Sequence, residues 1–334
     1  MPDTHRVALF SAHKFEVPYL KKANDTRFEL VFIEENLTLE NLKSAGKLSA
    51  ISVFSSDVVD KEIVDYMKKN GISFVTTRSA GFNHIDVKLA SKKGIKVSNV
   101  PEYSPQAIAE HALGLMLALL RKLIPSYERI RGYNFSLNGL VGSEITGKTI
   151  GIVGTGTIGK ALVKLLSGFD VRVLVYDIEE DNNFKKKYDV TYVALDQVLS
   201  ECDIISVHLP LTDETEYIID KKALSKIRPS AILINAGRGK LVDTKAVVEA
   251  LKEEKLGGFG MDVYEREDHF FYEDHSNEVF KDDVFARLLT FKNVIVTAHQ
   301  AFLTETALTQ IAEVTFKNIH AFLMDGNQEN KVEG

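Results

Sequence analysis

The sequence has 334 residues, 45% of them hydrophobic and 26% charged, which excludes a disordered or fibrous chain and leaves room for two domains with separate cores. The formal net charge is -6 with basic residues dispersed along the chain, which argues against a nucleic-acid binder. A lone cysteine, Cys202, excludes an internal disulfide; beside the apolar residues Ile204, Ile205 and Val207 it reads as a buried thiol. No secretory leader pattern opens the chain. Its most apolar helical stretch, 107–120, carries Glu110 and His111 and is too short to span a bilayer, so the expected location is the cytoplasm, with no membrane partner.

From the N-terminus, short β-rich runs alternate with helical patterns. Strands are expected at 7–10, 28–33, 51–54, 72–77 and 97–100, with helices over 58–70 and 85–93. Gly71 and Gly94 fall where those helices must stop. Ser104 and Pro105 open a long helix that runs to about Arg121, and a looser Gly-, Ser- and Asn-bearing stretch covers 133–147. A second, larger α/β unit begins at Lys148, with strands expected at 150–153, 172–176, 204–208, 231–235, 259–263 and 294–297. The final amphipathic helix spans 303–323. This alternation predicts an α/β protein with two doubly wound parallel-sheet domains, whose ligands bind beyond the carboxyl ends of the strands. No internal repeat or low-complexity segment stands out.

The strongest local signal is Gly154-Thr155-Gly156-Thr157-Ile158-Gly159, placed after the strand residues 149–153 and before the helical run 160–166. The spacing alone is weak, but the strand–turn–helix context gives each glycine a task. Gly154 permits the tight turn, Gly156 lets backbone approach a pyrophosphate, and Gly159 permits close helix packing. The helix N-terminus then offers N–H groups and a favourable potential to the phosphates. Asp177 ends the next strand, 23 residues beyond Gly154. A carboxylate there accepts hydrogen bonds from ribose hydroxyls and repels a 2′-phosphate, which predicts NAD rather than NADP. His208 and Asp262 also end apolar strands. Local sequence leaves both open between cofactor contacts and satisfied buried polar groups.

Longer signatures follow in fixed order. They are Arg78-Ser79-Ala80-Gly81-Phe82-Asn83, Val100-Pro101-Glu102-Tyr103-Ser104-Pro105, Val207-His208-Leu209-Pro210-Leu211-Thr212, Asn235-Ala236-Gly237-Arg238-Gly239, Met261-Asp262-Val263-Tyr264-Glu265-Arg266-Glu267 and Ala298-His299-Gln300-Ala301-Phe302. With the glycine motif, they make the chain resemble the D-isomer-specific 2-hydroxyacid dehydrogenases over nearly its whole length, above all the fermentative D-lactate dehydrogenases. The resemblance implies that Arg238 binds the substrate carboxylate, His299 is the general acid–base group and Glu267 is its partner. The chemistry agrees: a guanidinium fork holds a carboxylate at two points, and an imidazolium beside a carboxylate can protonate a carbonyl oxygen. The resemblance also places Ser79, Ala80, Gly81 and Tyr103 near the substrate carboxylate. It places His208, Leu209 and Pro210 on the nicotinamide side of the cofactor, and Thr157, Ile158, Thr215, Ala236, Gly237 and Asp262 at other cofactor contacts. Phe54 and Phe302 either narrow the space around the substrate side chain or simply pack in the core.

The implied architecture is a smaller flavodoxin-like, substrate-side domain from residues 1–101 and 300–334, with a larger Rossmann NAD-binding domain from 102–299. The resemblance further implies a homodimer or larger homo-oligomer using the 121–147 region, with pyruvate and D-lactate as the first substrate pair and a larger 2-keto acid as the alternative. A dinucleotide-responsive binding module of the co-repressor kind is disfavoured by the joint presence of Arg238, Glu267 and His299. His269 and His275 lie in an acidic, aromatic insertion that reads as a surface or packing feature, and no histidine spacing suggests a metal site. Ala298 stands before His299 where many relatives carry proline; this loosens the local backbone without touching the reacting side chain.

Overall fold

The structure, a computed structural model, describes residues 5–333 apart from the side chain of His269. The chain divides into two compact units, Met1–Ser104 with Leu303–Gly334, and Pro105–Phe302.

The smaller unit is built on β1 (Arg6–Leu9), β2 (Glu29–Phe32), β3 (Ala50–Val53), β4 (Phe74–Thr77) and β5 (Lys96–Ser98). Their spatial order is β2-β1-β3-β4-β5, and every pairing is parallel, with Leu9 of β1 beside both Phe32 and Ser52. Parallel sheets need cover on both faces. Here one face packs Ile51, Val53 and Val75 against Ile63, Val64 and Met67. The other sets Val7, Leu9 and Phe74 against Ala312, Phe316 and Ile319 of the Glu305–Leu323 helix. This two-sided burial is why β3 and β4 are buried along their whole length rather than alternating. The returning helix starts at Thr304, whose hydroxyl accepts from the Ala307 N–H at 3.2 Å. It is tied down by buried Asn318, whose Nδ2 donates to the Asn99 carbonyl at 2.9 Å. The tail beyond it reaches β5, where the Val332 N–H donates to Val97 at 2.9 Å.

At the carboxyl ends of these strands lies a buried polar network. The Arg78 guanidinium donates to both Glu16 oxygens, at 2.9 and 2.8 Å, and to the Phe10 carbonyl at 2.7 Å. Such pairing is what makes a fully buried arginine tolerable. Asp57 accepts from Ser11 Oγ and from the Leu37 and Phe54 N–H groups. Its carboxyl pKa is nonetheless raised, because burial outweighs those donors.

The larger unit contains β6 (Thr149–Val153), β7 (Arg172–Tyr176), β8 (Thr191–Tyr192), β9 (Ile204–Val207), β10 (Ile232–Asn235), β11 (Gly258–Met261) and β12 (Val294–Val296). They run in the order β12-β11-β10-β9-β6-β7-β8, all parallel. That is a Rossmann-like sheet whose order reverses between β6 and β9. The Pro105–Leu120 helix packs on it through Gly260, where a Cβ would stand 3.3 Å from the Leu115 Cβ. Cys202 is buried and its thiol pKa is pushed up to about 12 by burial, leaving it a core side chain. The two-residue β8 and the helix Leu123–Arg131 are among the elements that the sequence expectations do not name. No helix among the described residues is long and apolar enough to cross a membrane.

Candidate active site

The glycine turn joins β6 to the helix Thr157–Leu166 at the sheet's reversal point. Gly154 adopts φ +102° and a Cβ there would stand 2.8 Å from the His208 backbone. At Gly159 a Cβ would sit 2.0 Å from the Gly154 carbonyl oxygen, so only glycine lets this helix approach the turn. Gly156 differs: a Cβ there would meet nothing within 4 Å. It is the helix N-cap and supplies no side-chain acceptor, which leaves the first-turn N–H groups to an outside anion. Thr157 is exposed and Ile158 half-buried beside it.

Asp177 stands one residue beyond β7. Its Oδ2 accepts from the Thr155 N–H at 2.5 Å and from Thr155 Oγ1 at 2.9 Å. Burial raises its pKa, but the Thr155 and neighbouring backbone donors outweigh that and hold it below the usual range. Asp177 is therefore an ionised acceptor that also fixes the glycine turn. After β9, His208 is 8% exposed and its pKa is lowered to about 4 by burial. Its Nε2 pairs with Ser206 Oγ at 2.8 Å, while Nδ1 is buried without a hydrogen-bond partner among the described residues. In the loop that follows, through Leu209 and Pro210, Thr215 Oγ1 donates to the Pro210 carbonyl at 2.6 Å. The open helix end, the ionised acceptor and a neutral imidazole with an orphaned buried nitrogen fit a dinucleotide.

The residues that the family resemblance assigns to catalysis lie after β10, β11 and β12. Past β10, Ala236 is buried, Gly237 and Arg238 are half-buried, and Asn235 clamps the turn. Asn235 Oδ1 accepts from the Gly237 N–H at 3.1 Å and its Nδ2 donates to the Arg238 carbonyl at 3.0 Å. His299 Nδ1 lies 2.7 Å from Glu267 Oε1. Glu267 Oε2 accepts from the Tyr264 N–H at 2.8 Å, so the carboxylate is anchored on one oxygen and faces the ring with the other. Nδ1 is accordingly the donor, and Nε2 is left for proton exchange. Desolvation pushes the His299 pKa down and Arg238 adds to this. The charge and hydrogen bond of Glu267, with Asp262, outweigh them and raise it above 6.5.

His299 adopts φ +50°, a left-handed conformation that is strained for a side-chain-bearing residue. Asp262 holds it there. Its backbone carbonyl accepts from the His299 N–H at 2.6 Å, and its Oδ1 and Oδ2 accept from the Gln300 and Ala301 N–H groups, each at 2.8 Å. Asp262 is completely buried, so most of its acceptor capacity serves the His299 turn. Phe302 is buried, with its ring edge-on to the His299 ring at 6.4 Å.

Within the smaller unit, Phe54 is buried with His13 edge-on at 4.8 Å. Ser79, Ala80 and Gly81 form the turn after β4, with Ser79 Oγ donating to the Gly81 carbonyl at 2.7 Å and Asn99 Nδ2 to the Ala80 carbonyl at 2.8 Å. Tyr103 is half-buried beyond β5. The clamping role of Asn235 has no local sequence signal beyond its place in the signature that contains Arg238.

Residues 113–301 match the family model described as D-isomer specific 2-hydroxyacid dehydrogenase, NAD binding domain. The chain belongs to the D-isomer-specific 2-hydroxyacid dehydrogenases. The enzyme is 41% identical to the D-lactate dehydrogenase of Escherichia coli (strain K12) over 94% of its own length and 95% of that protein's. It superposes on the pyruvate reductase of Chlamydomonas reinhardtii with a TM-score of 0.91 and 35% identity, covering 96% of this chain and 97% of the other. It also matches D-2-hydroxyisocaproate dehydrogenase with a TM-score of 0.85 and 32% identity, over 98% of this chain and the whole (100%) of that one. It is an NAD-dependent D-2-hydroxyacid dehydrogenase.

Proposed function

We propose that the enzyme interconverts pyruvate and D-lactate, with Arg238, Glu267 and His299 as its catalytic residues. The observation that carries this reading is the His299–Glu267 pair, held at 2.7 Å with its imidazole pKa raised. Arg238 holds the substrate carboxylate and thereby orients the adjacent carbonyl. His299 Nε2 delivers a proton to the carbonyl oxygen as the carbon is reduced, and removes it in the reverse direction. Glu267 keeps the ring oriented and charged until that transfer. NADH, when bound, supplies the hydride, so the balance is pyruvate, NADH and a proton giving D-lactate and NAD.

The chain's other residues bind and orient. We assign Gly154, Gly156, Thr157, Ile158 and Gly159 to the diphosphate and Asp177 to the ribose. His208, Leu209, Pro210, Thr215, Ala236, Gly237 and Asp262 border the nicotinamide half. Ser79, Ala80, Gly81 and Tyr103 add donors for the substrate carboxylate, and Phe54 and Phe302 limit its side chain. In this reading the smaller unit is the substrate-side domain, and its β2-β1-β3-β4-β5 order supports a flavodoxin-like assignment. The exposed apolar residues Tyr133, Phe135, Leu137 and Val141 support a homodimer through that segment.

The similarity to D-2-hydroxyisocaproate dehydrogenase favours a second reading, preference for a longer or branched 2-keto acid. Steady-state kcat/KM with NADH across a panel of 2-keto acids separates the two. Pyruvate should exceed 2-ketoisocaproate by about tenfold or more, given roughly 1–3 kcal/mol for differential apolar contacts. A branched acid turned over faster than pyruvate would assign the enzyme to the second reading.

A further inference from the structure

We propose that His111 is a positioning residue for this reaction, acting through Thr297 and Asp262 on the turn that carries His299. The inference rests on the reading of His299 as the acid–base group. His111 lies on the Pro105–Leu120 helix, far in sequence from the other members of the chain. Its Nε2 stands 2.9 Å from Thr297 Oγ1 and 3.5 Å from Asp262 Oδ1. Thr297 Oγ1 in turn stands 2.6 Å from Asp262 Oδ1.

The proton order follows from donor and acceptor capacity. A buried carboxylate only accepts, so the single Thr297 hydroxyl proton points at Asp262 Oδ1. The hydroxyl oxygen then faces His111 with lone pairs, and so does the carboxylate. His111 Nε2 must therefore carry a proton and donate, whether the ring is neutral or charged. The line runs His111 Nε2–H to Thr297 Oγ1–H to Asp262 Oδ1, and the same oxygen accepts from the Gln300 N–H. The Asp262 carbonyl and Oδ2 hold the N–H groups of residues 299 and 301. A left-handed histidine turn is held by one carboxylate whose rotamer is set from behind by the relay. Removing a link frees that carboxylate to rotate and lets His299 Nε2 drift from its working position.

The test uses the full-length enzyme. Thr297→Val should lower kcat/KM for pyruvate about tenfold or more, the range expected for coupled hydrogen-bonded neighbours. Thr297→Ser keeps the hydroxyl and should recover to within about threefold of wild type. His111→Leu should cost about as much as Thr297→Val, and the double variant should be no worse than the poorer single by more than about twofold. Multiplicative losses in the double variant, or a fully active Thr297→Val, would overturn the relay. Should either variant fail to fold, nitrogen-15 NMR of the His111 ring in the wild-type enzyme decides instead. Protonated Nε2 supports the relay and an unprotonated Nε2 refutes it. His299→Asn separates this from the parent reading: loss of turnover there with active His111 and Thr297 variants defeats only the relay, whereas retained turnover defeats the acid–base assignment itself.

Discussion

At the scale of single residues, the carboxylates we assign to ligands also hold turns. Asp177 accepts two hydrogen bonds from Thr155 while remaining ionised, so cutting it to alanine would confound cofactor choice with loss of the glycine turn. Asp177→Asn is the cleaner test, because the amide oxygen can still accept from Thr155 while the charge that repels a 2′-phosphate is gone. The NADH-over-NADPH ratio of kcat/KM should fall about tenfold, mostly through better use of NADPH. An unchanged ratio would remove Asp177 as the selector. In the sequence Asp177 stands out by its place after the strand that follows the glycine motif, whereas Arg238 and His299 stand out only through the family signatures that contain them. Asp262 was legible as a position but not as a part: its work on the His299 turn depends on N–H groups 38 and 39 residues away, which no local pattern reveals.

At the scale of elements, the turn between β6 and its helix contains two glycines with opposite reasons for being glycine. Gly159→Ala would drive a methyl to within 2.0 Å of a backbone oxygen, forcing strand and helix apart. It should destabilise the apoprotein by roughly 3 kcal/mol or prevent folding, a typical cost of overpacking against immovable backbone. Gly156→Ala meets open space, so the apoprotein's Tm should stay within about 2 °C of wild type while the Kd for NADH rises severalfold. Thermal unfolding and NADH titration of the pair check both statements; equal effects of the two substitutions would contradict the cradle. The principal strands were readable because two-sided burial gives continuous apolar runs. Thr191–Tyr192 is too short to leave such a run, and Leu123–Arg131 buries none of its residues, so neither carried the periodic signal that reading depends on.

At the scale of the whole molecule, the segment beyond the Leu123–Arg131 helix leaves Tyr133, Phe135, Leu137 and Val141 between 70% and 86% exposed. If the proposed homodimer forms through these apolar side chains, sedimentation equilibrium should give a dimer. Phe135→Asp together with Leu137→Asp should shift it to monomer by placing charges in the contact. An unaltered assembly state would move the interface elsewhere. The α/β architecture was legible from the alternation of strand and helix patterns. The relay from His111 through Thr297 to Asp262 was not, because its members are brought together only when β11, β12 and the Pro105–Leu120 helix pack.

The pH dependence of pyruvate reduction in the wild-type enzyme and in Glu267→Gln tests the central claim most directly. Reduction needs protonated His299, so its basic limb follows the His299 pKa, which Glu267 helps to raise. Glutamine can still accept from Nδ1 but carries no charge. With kcat/KM measured where chemistry limits the rate, the basic limb should move to lower pH in the variant, and D-lactate oxidation should become active at correspondingly lower pH. Superimposable profiles in both directions would contradict the coupling of Glu267 to His299.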